Sequence, residues 1–344
     1  MDERVSHAAM SLPPARSRLL PRLLRGAVAL GLLTLIAQHV DIGAAAVAYR
    51  AAPWPAFVAP PLLLLINAAM QAQRLVWVCG ATGAAVPYGL ALRTVLRAVF
   101  VGLALPSGGA DLAKLHWLGK ASGAPTRVAA ALLLMRIQEI LPWLSLLLYG
   151  LSTGISEAWP LLGLAARLWS IAFVLALLAL PLLARSPDVV GRRWPRLRAL
   201  ATDLAAARDL AMGAPRPLLG AQLLAFAVSM GNVTAAWVIL RGMGAPLSWS
   251  AAAAIVPAAD AVVSLPVTVS GVGLREGVLI HLFAAWGGAA EVAVAAGLLR
   301  FSAELVRASV GGVLFFVGDA VEWYSRAGPT PEPQPPARVG DGDA

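Results

Sequence analysis

Two breaks interrupt a chain that is otherwise close to continuous hydrocarbon, and their setting limits what the chain can fold into. The first, LPSGGAD, covers residues 105–111; the second, LPVTVSGVGLRE, covers residues 265–276. Apolar runs flank both. By hydropathy they therefore lie at membrane depth, where unpaired backbone and charged side chains are costly unless protein or a wet cavity surrounds them. Pro266, Gly271 and Gly273 stop one helix and start another, which leaves backbone N–H groups free to line a site.

With 59% hydrophobic and 13% charged residues over 344 positions, the chain is a polytopic membrane protein and not a soluble globular one. The net charge of +9 does not indicate nucleic acid, because the Arg and Lys residues sit in short connections between apolar runs, as the positive-inside rule expects. Cys79 is the only cysteine, so an intramolecular disulfide and a thiolate metal cluster are excluded.

A basic N-terminus, residues 1–25, precedes an apolar segment at 26–37 that reads as a signal anchor, although Ala44 to Ala46 also suit a signal peptidase. Further spans are expected at 56–81, 128–149, 161–183, 218–240 and 292–317, with shorter apolar halves on either side of each break. Residues 185–216 form a basic linker that reads as an interfacial amphipathic helix on the cytoplasmic side. The transmembrane region extends over 26–320, and the Pro- and Gly-rich tail at 327–344 is expected to be disordered. Both basic segments are placed in the cytoplasm, so an even number of crossings separates them. With four full spans between them, the pair around the first break contributes none or two.

Gly109 and Gly273, and likewise Arg136 and Arg300, each stand 164 residues apart. This spacing makes halves at about 90–150 and 251–317, separated by an odd number of crossings, and hence an inverted repeat. The expected architecture is an all-α polytopic protein with about six full spans plus two broken or re-entrant helix pairs. Both termini are expected in the cytoplasm.

Ionisable residues inside predicted spans or breaks mark the candidate site. Asn67, Gln71 and Arg74 fall at i, i+4 and i+7 and form a polar stripe. Two uses of it are open: it lines the site, or it hydrogen-bonds to neighbouring helices while Arg74 reaches the interface. Arg136 with Glu139, and Arg300 with Glu304 and Arg307, fall at helical spacing, so Glu139 and Glu304 are assigned to helix pairing. Asp111 and Asp260 complete the set of acids in the apolar runs. Arg136 and Arg300, with the N–H groups of two broken helices, make a cradle suited to a phosphate. Asp111, Lys114 and Arg74 are placed around the same headgroup, and Arg275 and Glu276 gate or balance the cavity. Gly109 and Gly273 permit the breaks.

Signals for catalysis are weak. The four histidines lack metal-ligand spacing, no serine sits in a nucleophile elbow, and neither a dinucleotide fingerprint nor a phosphate-binding lysine loop is present, so no cofactor and no metal are expected. Taken together, LPSGGADLAK at 105–114, Arg136 with Glu139, PVTVSGVGLRE at 266–276 and Arg300 resemble the membrane region of the lysylphosphatidylglycerol synthetase/flippase family over roughly residues 20–320. Relatives often carry Arg where Lys114 stands. The resemblance implies movement of a lipid between leaflets by a stand-alone member without the soluble aminoacyl-transferase domain. Membrane lipids, anionic or phosphate-bearing, are then the expected partners, nucleic acid is not, and a homo-oligomer is compatible with the sequence. Two other classes stay open: a transferase acting on a lipid-linked sugar, and an accessory membrane protein without transport.

Overall fold

The computed structural model describes residues 42–104, 109–155, 212–245, 247–263, 274–284 and 288–327, with a few further positions between 163 and 210. Expectations for the N-terminus and anchor, the span at 161–183, most of the basic linker, the two breaks themselves (105–108 and 264–273, hence Pro266, Gly271 and Gly273) and the tail lie outside the described residues. Among the described residues the regular structure is entirely helical. The helices are α1 (Ile42–Ala51), α2 (Trp54–Ala81), α3 (Tyr88–Ala104), α4 (Gly109–Ser122), α5 (Pro125–Gly150, ending in a π-turn at Leu151–Ile155), α6 (Pro215–Gly242), α7 (Trp249–Val263), α8 (Leu274–Ala284) and α9 (Ala290–Ala327). α1 lies between the expected anchor and the expected span at 56–81, where the sequence marks no element.

Three segments, Trp54–Ala81, Pro125–Thr153 and Pro215–Gly242, are long and apolar enough to cross a bilayer. Each helix starts with proline in its first two positions, where the missing N–H has no partner to lose and the fixed φ suits the helix. Their outward faces carry Leu62, Ile66, Leu133, Leu148, Leu219 and Leu223, all exposed, as surfaces solvated by lipid require. Pro142 inside α5 removes the N–H that would bond the carbonyl of Gln138, and Gln222 of α6 donates its Nε2–H to that carbonyl at 3.1 Å instead.

The packing has an internal correspondence. α2 and α6 are both 28 residues long, lie against each other in the most extensive helix interface, and end in the same Schellman cap. Gly83 and Gly244 each take φ 78°, which a side chain would strain. The following amides, of Ala84 and Ala245, bond back to Cys79 O at 2.8 Å and Leu240 O at 3.1 Å. After each cap comes a triplet: a helix, a break, a short helix and a long helix. In the first triplet these are α3, α4 and α5; in the second, α7, α8 and α9. The triplets exchange partners, with α3 packed on α9 and α7 on α5. Backbones touch in both exchanges. A Cβ on Gly311 would collide with the Leu96 carbonyl, and one on Gly150 would lie 2.5 Å from Ala254 N.

The two largest apolar clusters among the described residues follow from this arrangement. Leu75, Val78, Val95, Leu96, Leu118, Val128 and Leu132 close one around α2 to α5, whereas Ile239, Leu240, Ile255, Leu282, Phe283 and Leu299 close the other around α6 to α9. α1 belongs to the second, through Ala45 against Val294 and a 3.1 Å hydrogen bond between Tyr49 Oη and Ser302 Oγ.

Candidate functional site

Among the described residues, ion pairs between helices form at two centres. The first is built where α4, the short helix after the break, meets the middle of α5. Gly109, buried, opens α4, and Asp111 sits in its first turn, where a carboxylate favours the helix dipole. One turn on, Lys114 Nζ lies 3.0 Å from Asp111 Oδ1. From α5, Arg136 reaches Asp111 Oδ2 with Nε at 2.6 Å and Nη2 at 2.5 Å, and Glu139 Oε2 with Nη1 at 3.1 Å. Glu139 is shared. Its other oxygen, Oε1, is 3.2 Å from Arg74 Nη1 of α2.

Arg74 is fully buried, at 0% exposure, and each nitrogen of its fork has an acceptor: Nε donates to Ala221 O, Nη1 to Gln71 and Glu139, and Nη2 to Met135 O. Of the two uses open for the polar stripe, hydrogen bonding between helices is the one observed, but Arg74 does not reach toward the interface. A guanidinium with five donors satisfies several carbonyls at once, so the middle of three helices holds it better than a surface. Arg136 is the opposite case. Its side chain is 57% exposed, although it stands eleven residues into a spanning helix, about 16 Å along the axis from its start. Exposed charge at that depth requires water or a polar headgroup beside it, because lipid tails offer neither hydrogen bonds nor dielectric screening.

The second centre lies between α6, α7 and α9. Arg300 is 9% exposed; its Nη2 is 3.4 Å from Asp260 Oδ2 and its Nη1 3.5 Å from Asn232 O, while Nε is buried without a hydrogen-bond partner. The pair faces an apolar cleft lined by Ala236, Ile239, Leu240, Val256, Ala259, Leu279 and Ala296. Asp260 also lines a neighbouring cleft with Trp143, Ser229 and Asn232. The helical spacing on α9 allows Glu304 either Arg300 or Arg307 on its own helix, and it pairs with Arg307. Asp260, one helix away, takes Arg300 because α7 packs its small alanine face tightly enough to bring the carboxylate within reach.

The stripe on α2 connects the centres. Arg74 serves the first, and one end of the stripe away, Asn67 donates to Val228 O at 3.2 Å and to Asn232 Oδ1 at 2.8 Å, whose backbone carbonyl holds Arg300. The structure thus brings together Arg74, Asp111, Lys114, Arg136 and Glu139 but sets Arg300 and Glu304 in separate pairs. Backbone alone places Arg275 and Glu276, in the first turn of α8, and Gly273 lies outside the described residues. Sequence reasoning gave Asp260 no role and overlooked Asn232 and Gln222; an acid or amide inside a long apolar run was the available signal. Among the described residues no group of three His, Cys, Asp or Glu side chains could hold a metal ion.

Among the described residues the structure is all helical, and three helices long and apolar enough to cross a bilayer mark a multi-pass membrane protein. Residues 22–312 match the family model described as the lysylphosphatidylglycerol synthase TM region, and the chain belongs to that family, one linked to lipid flipping. No curated protein and no solved structure matches the chain.

Proposed function

We propose that this protein moves a phospholipid or another polar-headed lipid between the leaflets of the bacterial inner membrane, without a cofactor and without chemical change to the lipid. The observation that carries the reading is Arg136: a guanidinium more than half exposed halfway along an apolar helix, anchored by carboxylates from two helices. An anionic headgroup passing the hydrocarbon region needs such a station, and its acyl chains need none. Family membership supports the same direction.

The matched caps and exchanged triplets support an inverted repeat, with about six full spans and two re-entrant pairs. In that plan Gly109 and Gly273 permit the breaks, and Asp111, Lys114 and Arg136 receive the headgroup. Arg74 and Glu139 brace that station from behind. Arg300 supplies a second one deeper in the other half, with Glu304 pairing within α9, and Arg275 and Glu276 at the start of α8 gate the passage.

Leaflet exchange of headgroup-labelled lipids in proteoliposomes tests the assignment. Arg136→Ala and Arg300→Ala, reconstituted in amounts equal to wild type, should each slow exchange by about tenfold or more, as loss of a charge-assisted phosphate contact implies. Unchanged exchange in both variants would remove the assigned roles. A lipid species that disappears from a deletion strain, without being merely relocated, would favour a transferase.

A further inference from the structure

We propose that Asp111 sets the charge of the headgroup the first centre accepts, selecting a singly charged phosphodiester over a doubly charged phosphomonoester. The inference rests on the translocase reading and adds a selectivity to it. Among the described residues the first centre is one connected network of five ionisable groups: Arg74, Arg136 and Lys114 against Asp111 and Glu139. Each carboxylate touches two cations: Asp111 meets Lys114 and Arg136, and Glu139 meets Arg74 and Arg136. Three positive and two negative charges leave an excess of one. Water reaches Arg136, but apolar helices border the site and screening there is weaker than in bulk water, so an incoming ligand is favoured when it cancels the excess and disfavoured when it overshoots. One phosphodiester cancels it; a phosphomonoester dianion leaves the opposite charge uncompensated.

Asp111 is the group through which this balance is set at the exposed edge. Glu139 is committed to the buried Arg74 and cannot leave it without stranding a guanidinium that is 0% exposed. Asp111, by contrast, lies on Nε and Nη2 of Arg136, the donor pair a phosphate would use, and has Lys114 as an alternative partner at 3.0 Å. It occupies the phosphate position while the site is empty. When a headgroup takes Arg136, Asp111 retains Lys114, and its charge still counts against a second negative charge on the ligand. Asp111 is therefore a specificity-determining residue that acts through Arg136.

A charge series tests this on the full-length protein. Lys114→Gln brings the excess to zero, wild type has one and Asp111→Asn has two, while Asp111→Glu keeps the charge and serves as the conservative control. Proteoliposomes of phosphatidylcholine carry acyl-labelled phosphatidylglycerol, phosphatidic acid at a pH where it is doubly charged, or phosphatidylethanolamine, and the exchange rate of each is measured. The ratio of phosphatidic acid to phosphatidylglycerol exchange should rise about tenfold in Asp111→Asn, in keeping with one uncompensated charge in a partly desolvated site, and return in Asp111→Glu. Lys114→Gln should shift preference toward the zwitterion. Ratios that stay constant while every variant exchanges lipid overturn the charge filter and leave the translocase reading standing. Native mass spectrometry of lipid retained by the purified proteins supplies the independent arm. Shifted binding ratios without exchange support the filter and overturn the translocase reading, whereas unshifted binding ratios overturn the filter.

Discussion

Arg136 and Arg300 occupy matching places, each on the long helix that closes its triplet, yet their surroundings differ in almost every physical respect. Arg136 is 57% exposed and shares two carboxylates with two further cations; Arg300 is 9% exposed, has one carboxylate at 3.4 Å and leaves Nε buried without a hydrogen-bond partner. Equivalent position therefore does not imply equivalent use. An open guanidinium that shares its carboxylates with other cations suits capture and release of an anion, and an enclosed one suits holding helices or a ligand that has already shed its water. The asymmetry is what a passage with an entry and an interior would show.

The largest effect that sharpens this contrast lies behind the open centre. Arg74→Leu strands Glu139's second oxygen and removes donors from Ala221 O and Met135 O, so it should cost about 3–5 kcal/mol of stability, as breaking a buried ion pair does. Denaturation of the purified protein in detergent measures it, and a cost near zero would mean that the network is looser than its geometry. Next, Arg300→Ala should destabilise by about 3 kcal/mol and Arg136→Ala by about 1 kcal/mol or less, because only the first uncovers a buried partner. Equal costs in the same denaturation assay would break the comparison. Smallest is Gln222→Leu, which deprives the Gln138 carbonyl of the donor that replaces Pro142's missing N–H. It should cost about 1 kcal/mol, whereas in a Pro142→Ala background, where the helix bond can return, the cost should fall to a few tenths. A double-mutant cycle reads the difference.

Much of this architecture is legible in the sequence because apolar length and polar interruption are local signals. The helices at 54–81, 125–150 and 215–242 follow from runs at 56–81, 128–149 and 218–240, which the structure extends by about a turn into their proline starts. The pairing of Arg136 with Glu139 is likewise local, since residues three apart share a helix face. Partners chosen across helices are less visible. Nothing in the spacing of α9 says that Arg300 prefers Asp260 on α7 to Glu304 on its own helix, because that choice is made by how closely the alanine-rich face of α7 packs. Nor does spacing tell a stripe that lines a cavity from one that joins helices. Only the neighbouring carbonyls, Ala221 O and Met135 O, decide that Arg74 is enclosed. α1 went unseen because ten residues rich in alanine, with no charge before Arg50, carry little periodicity of their own.

The most direct test of the difference between the two centres is cysteine accessibility. The native thiol, Cys79, is buried and is first replaced by serine. Arg136→Cys and Arg300→Cys are then placed singly in the reconstituted protein, and a charged, membrane-impermeant thiol reagent is applied. Position 136 should react within about tenfold of an exposed loop cysteine, and position 300 at least a hundredfold more slowly (~10²), as water-filled and enclosed sites in a membrane protein differ. Equal protection at both positions would contradict a hydrated entry at Arg136 and with it the route proposed for the headgroup.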